Sequence, residues 1–124
     1  MIGKAVRRDQ IEIRIAEPLD TAAISSLLFE SFAEYRQLYT DSGFAATTPN
    51  AEAVLDRLRE GPGWIALANN SIVGTVSVVL KGESLYVRGM AVLPVARGQR
   101  IGELLLQRIN EYAINVPIAS SSNP

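Results

Sequence analysis

Two arginines, Arg97 and Arg100, fall inside the stretch "VLPVARGQRIGELLLQRI", residues 92–109, where an apolar strand end passes through a short loop into a helix. A helix N-terminus carries partial positive charge and unpaired N–H groups, so cations there are locally unfavourable unless an anion relieves them. Gly98 and Gly102 allow close backbone approach, and the N–H groups from Gln99 to Gly102 could converge on one concentrated anion. Both guanidinium groups would add charge-assisted hydrogen bonds, which makes a diphosphate the natural guest. The competing reading is two solvated side chains on an ordinary strand-to-helix loop. The segment is neither a triphosphate-binding loop, since no Gly-Lys-Ser/Thr follows, nor a dinucleotide fingerprint, which needs three spaced glycines after the first strand.

Other chemistry is narrowed by what the chain lacks. With no histidine, the commonest general base and metal ligand is missing. With no cysteine, disulfides, thiolate nucleophiles and thiolate metal sites are excluded, which fits a cytoplasmic protein; no metal site is expected. The net charge of -1 gives no pull toward nucleic acid, and Arg57, Arg59, Arg97 and Arg100 are not interleaved with aromatics, so a nucleic-acid partner is disfavoured. No run approaches the ~20 apolar residues of a membrane span.

The elements that must position these groups follow from periodicity. Ile11, Ile13 and Ile15 alternate with Glu12 and Arg14, predicting a strand stopped by Pro18. Asp20 is placed to cap a helix carrying Ile24, Leu27, Leu28, Phe32 and Tyr35 on its buried stripe. "YTDSGFAATTPN" reads as a loop. Asn50 caps a second helix, with Val54, Leu55 and Leu58 inward and Gly61 at its end. "GWIALANN", "SIVGTVSVVL" and "LYVRGMAV" predict an antiparallel meander with turns at "NNS" and "KGES", and Trp64 is expected in the core. Ile101, Leu104, Leu105, Ile109 and Tyr112 mark the last amphipathic helix. The pattern predicts an α+β domain, helices covering a mostly antiparallel sheet, over residues 11–116. Residues 1–10 read as a flexible leader and 117–124 as a disordered tail, with Pro117 against continued helix.

"MAVLPVARGQRIGELLL", Met90 to Leu106, resembles the cofactor motif of the GNAT superfamily of N-acyltransferases. The shared features are a strand ending in valine, a Pro-containing loop, and Arg/Gln-x-x-Gly-x-Gly/Ala opening a helix. "IRIAEPLDTAAISSLL" is similar to the family's first strand and helix, and the likeness runs over about residues 11–113. It implies the GNAT fold and an acetyl-CoA-dependent N-acetyltransferase acting on an amine of a small molecule or protein. Met90, Ala91 and Val92 would line the pantetheine arm, with the Val92 N–H polarising the thioester carbonyl. Arg97, Gly98, Gln99, Arg100, Ile101 and Gly102 would hold the pyrophosphate of coenzyme A.

The chain departs from the family pattern in two ways. Arg100 stands where glycine is usual, and the family's further strand, helix and final strands are not matched after "INVPIASSSNP". The chain therefore reads as C-terminally truncated, with an exposed edge on the strand "LYVRGMAV" that a homo-oligomer would cover. The alternative function is a non-catalytic acyl-CoA-binding or interaction module. Where some relatives carry a carboxylate base this chain has Tyr86, which leaves Glu83 as the candidate base acting through water, against a plain turn role in "KGES". Glu30 and Glu34 share a helical face and could attract a cationic amine, or simply be solvated.

Overall fold

The computed structural model describes residues 10–115. The expected tail, Pro117, and all of the expected leader except Gln10 lie outside those residues. Strands β1 (Ile11–Ile15), β2 (Gly63–Ala68), β3 (Ser71–Lys81) and β4 (Ser84–Val92) form one antiparallel sheet in chain order. Helices α1 (Thr21–Ala33), α2 (Asp41–Thr47), α3 (Ala51–Glu60) and α4 (Ile101–Asn115) flank it. This is the expected α+β arrangement, with one more helix than the periodicity announced.

The meander is set by its turns. Asn69 and Asn70 both take positive φ, 53° and 68°, as a two-residue type I′ turn requires at both central positions. Short polar Asn is among the few side chains that tolerate this conformation. Gly82, at φ 62°, opens the Gly82–Glu83 turn between β3 and β4. β2 is central and reads as a nearly continuous apolar run because both its faces are covered.

The sheet carries a helical layer on each face. Ile24, Leu27 and Leu28 of α1 and Val54 of α3 pack with Ile65 and Ala91 on one face. Ile101 and Leu105 of α4 pack with Trp64, Ala66, Val76 and Val78 on the other. Gly74 of β3 lets α4 settle closely: a methyl there would come within 3.1 Å of Ile101 Cγ2. Tyr112 meets Trp64 edge-to-face, ring centres 5.6 Å apart, and so belongs to the packing of α4.

Four local expectations change. The predicted loop holds α2, capped by the Thr40 hydroxyl, which accepts from Gly43 N at 3.0 Å, and anchored by buried Phe44. Asp20 occupies the N-cap position of α1, but its carboxylate accepts instead from both Arg14 Nη atoms (2.9 and 3.0 Å) and from Glu17 N (2.7 Å). Ile15 is 51 % exposed rather than facing inward. Tyr35 lies beyond the end of α1 and is 40 % exposed, so it is not part of the buried stripe. The Asn50 cap is as expected, its side chain accepting from Ala53 N at 2.9 Å, and Gly61 ends α3.

Candidate active site

β4 is an edge strand: among the described residues β3 is its only neighbour. Leu93 N donates to Val73 O across this pair at 2.9 Å, and Val92 sits opposite Gly74. Antiparallel alternation then turns the N–H and C=O of Ala91 toward β3 and those of Met90 and Val92 toward the open edge. The outward direction of Val92 is visible in its carbonyl, which accepts from Arg97 Nε at 3.1 Å. Ala91 is buried against α1 and presents no polar backbone group to that edge.

Arg97 answers the electrostatic conflict read from the sequence in an unexpected way. Its guanidinium reaches away from α4 to the C-terminal end of α1, donating to Glu34 Oε2 at 2.7 Å and to Ser31 O at 3.3 Å. A helix C-terminus favours a cation, so the unfavourable neighbour at one helix end is offset by a favourable one at another. Three chain segments, the ends of α1 and β4 and the loop before α4, are thereby joined. Arg100 pairs with Glu103 on the exposed first turn of α4, Nε to Oε1 at 2.7 Å. Both arginines thus have carboxylate partners.

The loop backbone still provides what an anion needs. Arg100 O accepts from Leu104 N, so the hydrogen-bond ladder of α4 opens there, and the N–H groups of Ile101 and Gly102, in the turn ahead of it, have no acceptor within the helix. A hollow of about 150 Å³ lies at this end, lined by Val92, Ala96, Arg97, Gly98, Arg100, Ile101 and Gly102. Six of the nine residues expected to bind cofactor are therefore gathered on one cavity. Met90 adjoins them, its Sδ and Cε facing Gly102, while half-buried Gln99 is carried in the connecting turn. Gly98 takes φ 89° and Arg100 φ 63°. This chain therefore bears an arginine in a left-handed conformation that favours glycine, costing about 1–2 kcal/mol. Arg100→Gly is expected to raise stability by about 0.5–1 kcal/mol, since glycine's greater unfolded-state freedom offsets part of the relief. A melting midpoint a few degrees higher checks it.

Glu83 is not brought to this place. It occupies the exposed β3–β4 turn, nine residues from Val92 along β4, about 30 Å at the strand rise. Tyr86 is also remote from the hollow and 52 % exposed. Glu30 is exposed, and Glu34 is engaged by Arg97.

The Arg97 and Tyr35 hydrogen bonds hold the Glu34 carboxyl below its ordinary value of 4.5, and the Arg14 pair holds Asp20 below 3.8. A carboxylate depressed in the folded state contributes stability above its unfolded pKa and loses it as pH falls through the folded value. The melting midpoint is accordingly expected to decline below about pH 4. Arg14→Gln should flatten the Asp20 part of that decline, which differential scanning calorimetry between pH 2.5 and 6 would record.

A second hollow of about 150 Å³, not foreseen from the sequence, lies beside Met90 and is bounded by α1, α2, α3 and β4. Arg57 and Arg88 both line it. The signal was a break in strand alternation: Val78 pairs with Val87 and Ser77 with Gly89, which leaves Arg88 as the extra residue of a bulge.

The anion-ready helix end and the outward strand N–H thus stand side by side at the open edge of β4. Residues 24–120 match the Acetyltransferase (GNAT) family, and the chain belongs to that family of acetyl-CoA-dependent N-acetyltransferases. The fold is similar to that of PaiA N-acetyltransferase from Thermoplasma acidophilum in complex with coenzyme A. There the TM-score is 0.70 at 18% identity, over 82% of this chain and 70% of that one. A ribosomal-protein-alanine N-acetyltransferase from Brucella melitensis biovar Abortus 2308 gives 0.62 at 21% identity, covering 83% and 71%. An aminoglycoside acetyltransferase from an uncultured soil metagenomic sample, in complex with sisomicin, gives 0.60 at 21% identity, covering 84% and 70%. No curated protein sequence matches the chain. Among the described residues no helix is long and apolar enough to cross a membrane.

Proposed function

We propose that the chain transfers an acetyl group from acetyl-CoA to a primary amine at the open edge of β4, beside the first turn of α4. The observation that carries this reading is the outward Val92 N–H next to the first-turn residues Ile101 and Gly102 of α4, which line a hollow. The hollow fits a diphosphate chemically: Ile101 and Gly102 supply amides, and the helix end supplies positive potential. Gly98 gives the loop its φ of 89°, a conformation that side-chain-bearing residues rarely adopt. Arg100, on the rim, can exchange Glu103 for phosphate oxygens, whereas Arg97 braces the loop through Glu34 and Ser31. Met90 and Val92 offer backbone groups to the pantetheine arm as a neighbouring strand would.

Bound acetyl-CoA supplies an activated thioester. The Val92 N–H is directed to donate to the carbonyl oxygen as negative charge grows there, an effect of about 3–4 kcal/mol for one well-placed donor. The neutral amine attacks the carbonyl carbon. A C–N bond forms, the C–S bond breaks with its electron pair going to sulfur, and the nitrogen loses a proton as the thiolate gains one. Positioning alone can supply about 7–11 kcal/mol of the barrier, so no dedicated base is required. In this chain without histidine, kcat/KM is expected to rise with pH along the acceptor amine's own titration, with no limb near pH 6.5. Changing the acceptor for one of lower amine pKa should move that limb by the same amount.

The test is calorimetric titration with coenzyme A and acetyl-CoA, followed by thiol release with an amine panel. Saturable binding below millimolar and amine-dependent thiol release are expected; no binding at millimolar ligand defeats the reading. Exposed Tyr86 and Val87 lie farther along the same edge, and a second copy pairing there would give a homodimer, which light scattering measures.

A further inference from the structure

The hollow beside Met90 is built from unlike parts. Leu28 and Phe32 of α1 give it an apolar wall, and the bare backbone of Gly89 gives it room, since a methyl there would meet nothing within 4 Å. Among the described residues its charged lining groups are two guanidinium groups, and no carboxylate lines it. Arg57 is half-buried, donates to the neutral carbonyl of Ala46 at 3.2 Å, and is in no ion pair among the described residues. Arg88 pairs with Glu60 at the end of α3. Two positive charges thus face one negative charge at the rim.

The proximity is felt electrostatically: burial first, then the charge of Arg88, lowers the pKa of Arg57, while Glu60 acts the other way. A guanidinium stays protonated regardless, so the imbalance is available to a ligand. The position is also specific. Arg88 precedes Val92 by four residues on one strand, on the order of 13 Å between backbones, a span that two side-chain lengths and a small molecule can close. The bulge turns Arg88 toward α3 instead of along the regular alternation.

Resting on the acetyltransferase reading above, we infer that the acceptor is a small amine that also carries a carboxylate, received by Arg57 and Arg88 while its amine end lies at Val92. A polycationic acceptor is disfavoured by the same charges. Planar, forked guanidinium groups bind carboxylates in two-point fashion, and partial burial strengthens that pairing.

The experiment uses the whole chain. The ω-amino acids from 3-aminopropanoate to 6-aminohexanoate are compared with their carboxamides, which match them in length, each kcat/KM being taken per neutral amine because the amide lowers the amine pKa of the shorter members. The expected result is a tenfold or greater kcat/KM advantage for the acids at the best-fitting length. Arg57→Gln and Arg88→Gln should each bring the acid-to-amide ratio toward one, mainly through KM. Arginine Nε–H resonances give a readout without turnover: titrating N-acetylated 6-aminohexanoate should shift the Arg57 and Arg88 signals, and its amide should not. Equal or better use of the amides, an acid preference that survives both substitutions, or unmoved Arg57 and Arg88 signals overturns the inference. Coenzyme A titration separates this from failure of the underlying reading: absent coenzyme binding removes both, whereas intact binding with no acid preference removes the acceptor assignment alone.

Discussion

Gly102→Asp should abolish measurable coenzyme A binding while leaving the fold intact or slightly more stable. Position 102 is in the first turn of α4, and a Cβ built there meets only Met90 Cε and Sδ at 3.8 and 3.9 Å, which is ordinary contact. An acidic side chain in a first helical turn is favourable by about 0.3–1 kcal/mol. The same carboxylate would stand in the hollow that the first-turn amides share with Arg97 and Arg100. Repulsion at about 5 Å and an effective dielectric of about 20 is roughly 3 kcal/mol per charge of the diphosphate. Affinity should therefore fall by about two orders of magnitude or more, since each 1.4 kcal/mol is tenfold. Gly102→Asn, equal in size but neutral, should retain most of the binding. Calorimetry on both variants, with their melting curves, decides it: coenzyme bound equally well by the Asp variant would move the site elsewhere.

Gly61→Ala should be the most destabilising single methyl in the chain. Gly61 ends α3 in an extended conformation, so its requirement is for space and not for positive φ. The added carbon would lie 2.2 Å from Val78 O and 3.1 Å from Val78 C, both backbone atoms of central strand β3. Relief requires the α3–β2 joint to lift from β3, which opens the Val78 N to Pro62 O hydrogen bond of 3.1 Å beside it. Overpacking of this kind costs about 3 kcal/mol. The melting midpoint is expected to drop by roughly 10 °C or more. Gly89→Ala is the control: its methyl meets nothing and should change stability by no more than about 0.5 kcal/mol. Equal melting of the two variants would show that the joint yields freely.

The residues that announced themselves in the sequence are those whose local rule matches their global role. Asn69–Asn70, the Asn50 cap, Gly61, and the stripe from Ile101 to Leu105 all specify conformation and burial at once. α2 is not legible because in "DSGFAAT" only the two alanines are good helix formers and only Phe44 is an anchor, so its helicity depends on packing with Phe29 and Tyr39 that no short-range pattern reveals. The backbone half of the candidate site was legible because Gly98, Gly102 and the helix start are encoded locally. Its side-chain half was not. The partner of Arg97 is Glu34, far away in sequence, and the meeting of Arg57 with Arg88 depends on a bulge that only pairing register discloses.

Chain-order sheet topology has a kinetic consequence. β2, β3 and β4 are joined by two-residue turns, so each ladder can close as soon as its own hairpin forms, with little loop entropy to overcome. β1 must wait until α1, α2 and α3 have been laid between it and β2. Assembly therefore favours a hairpin nucleus that already contains Val92, with the opposite rim of the sheet added late.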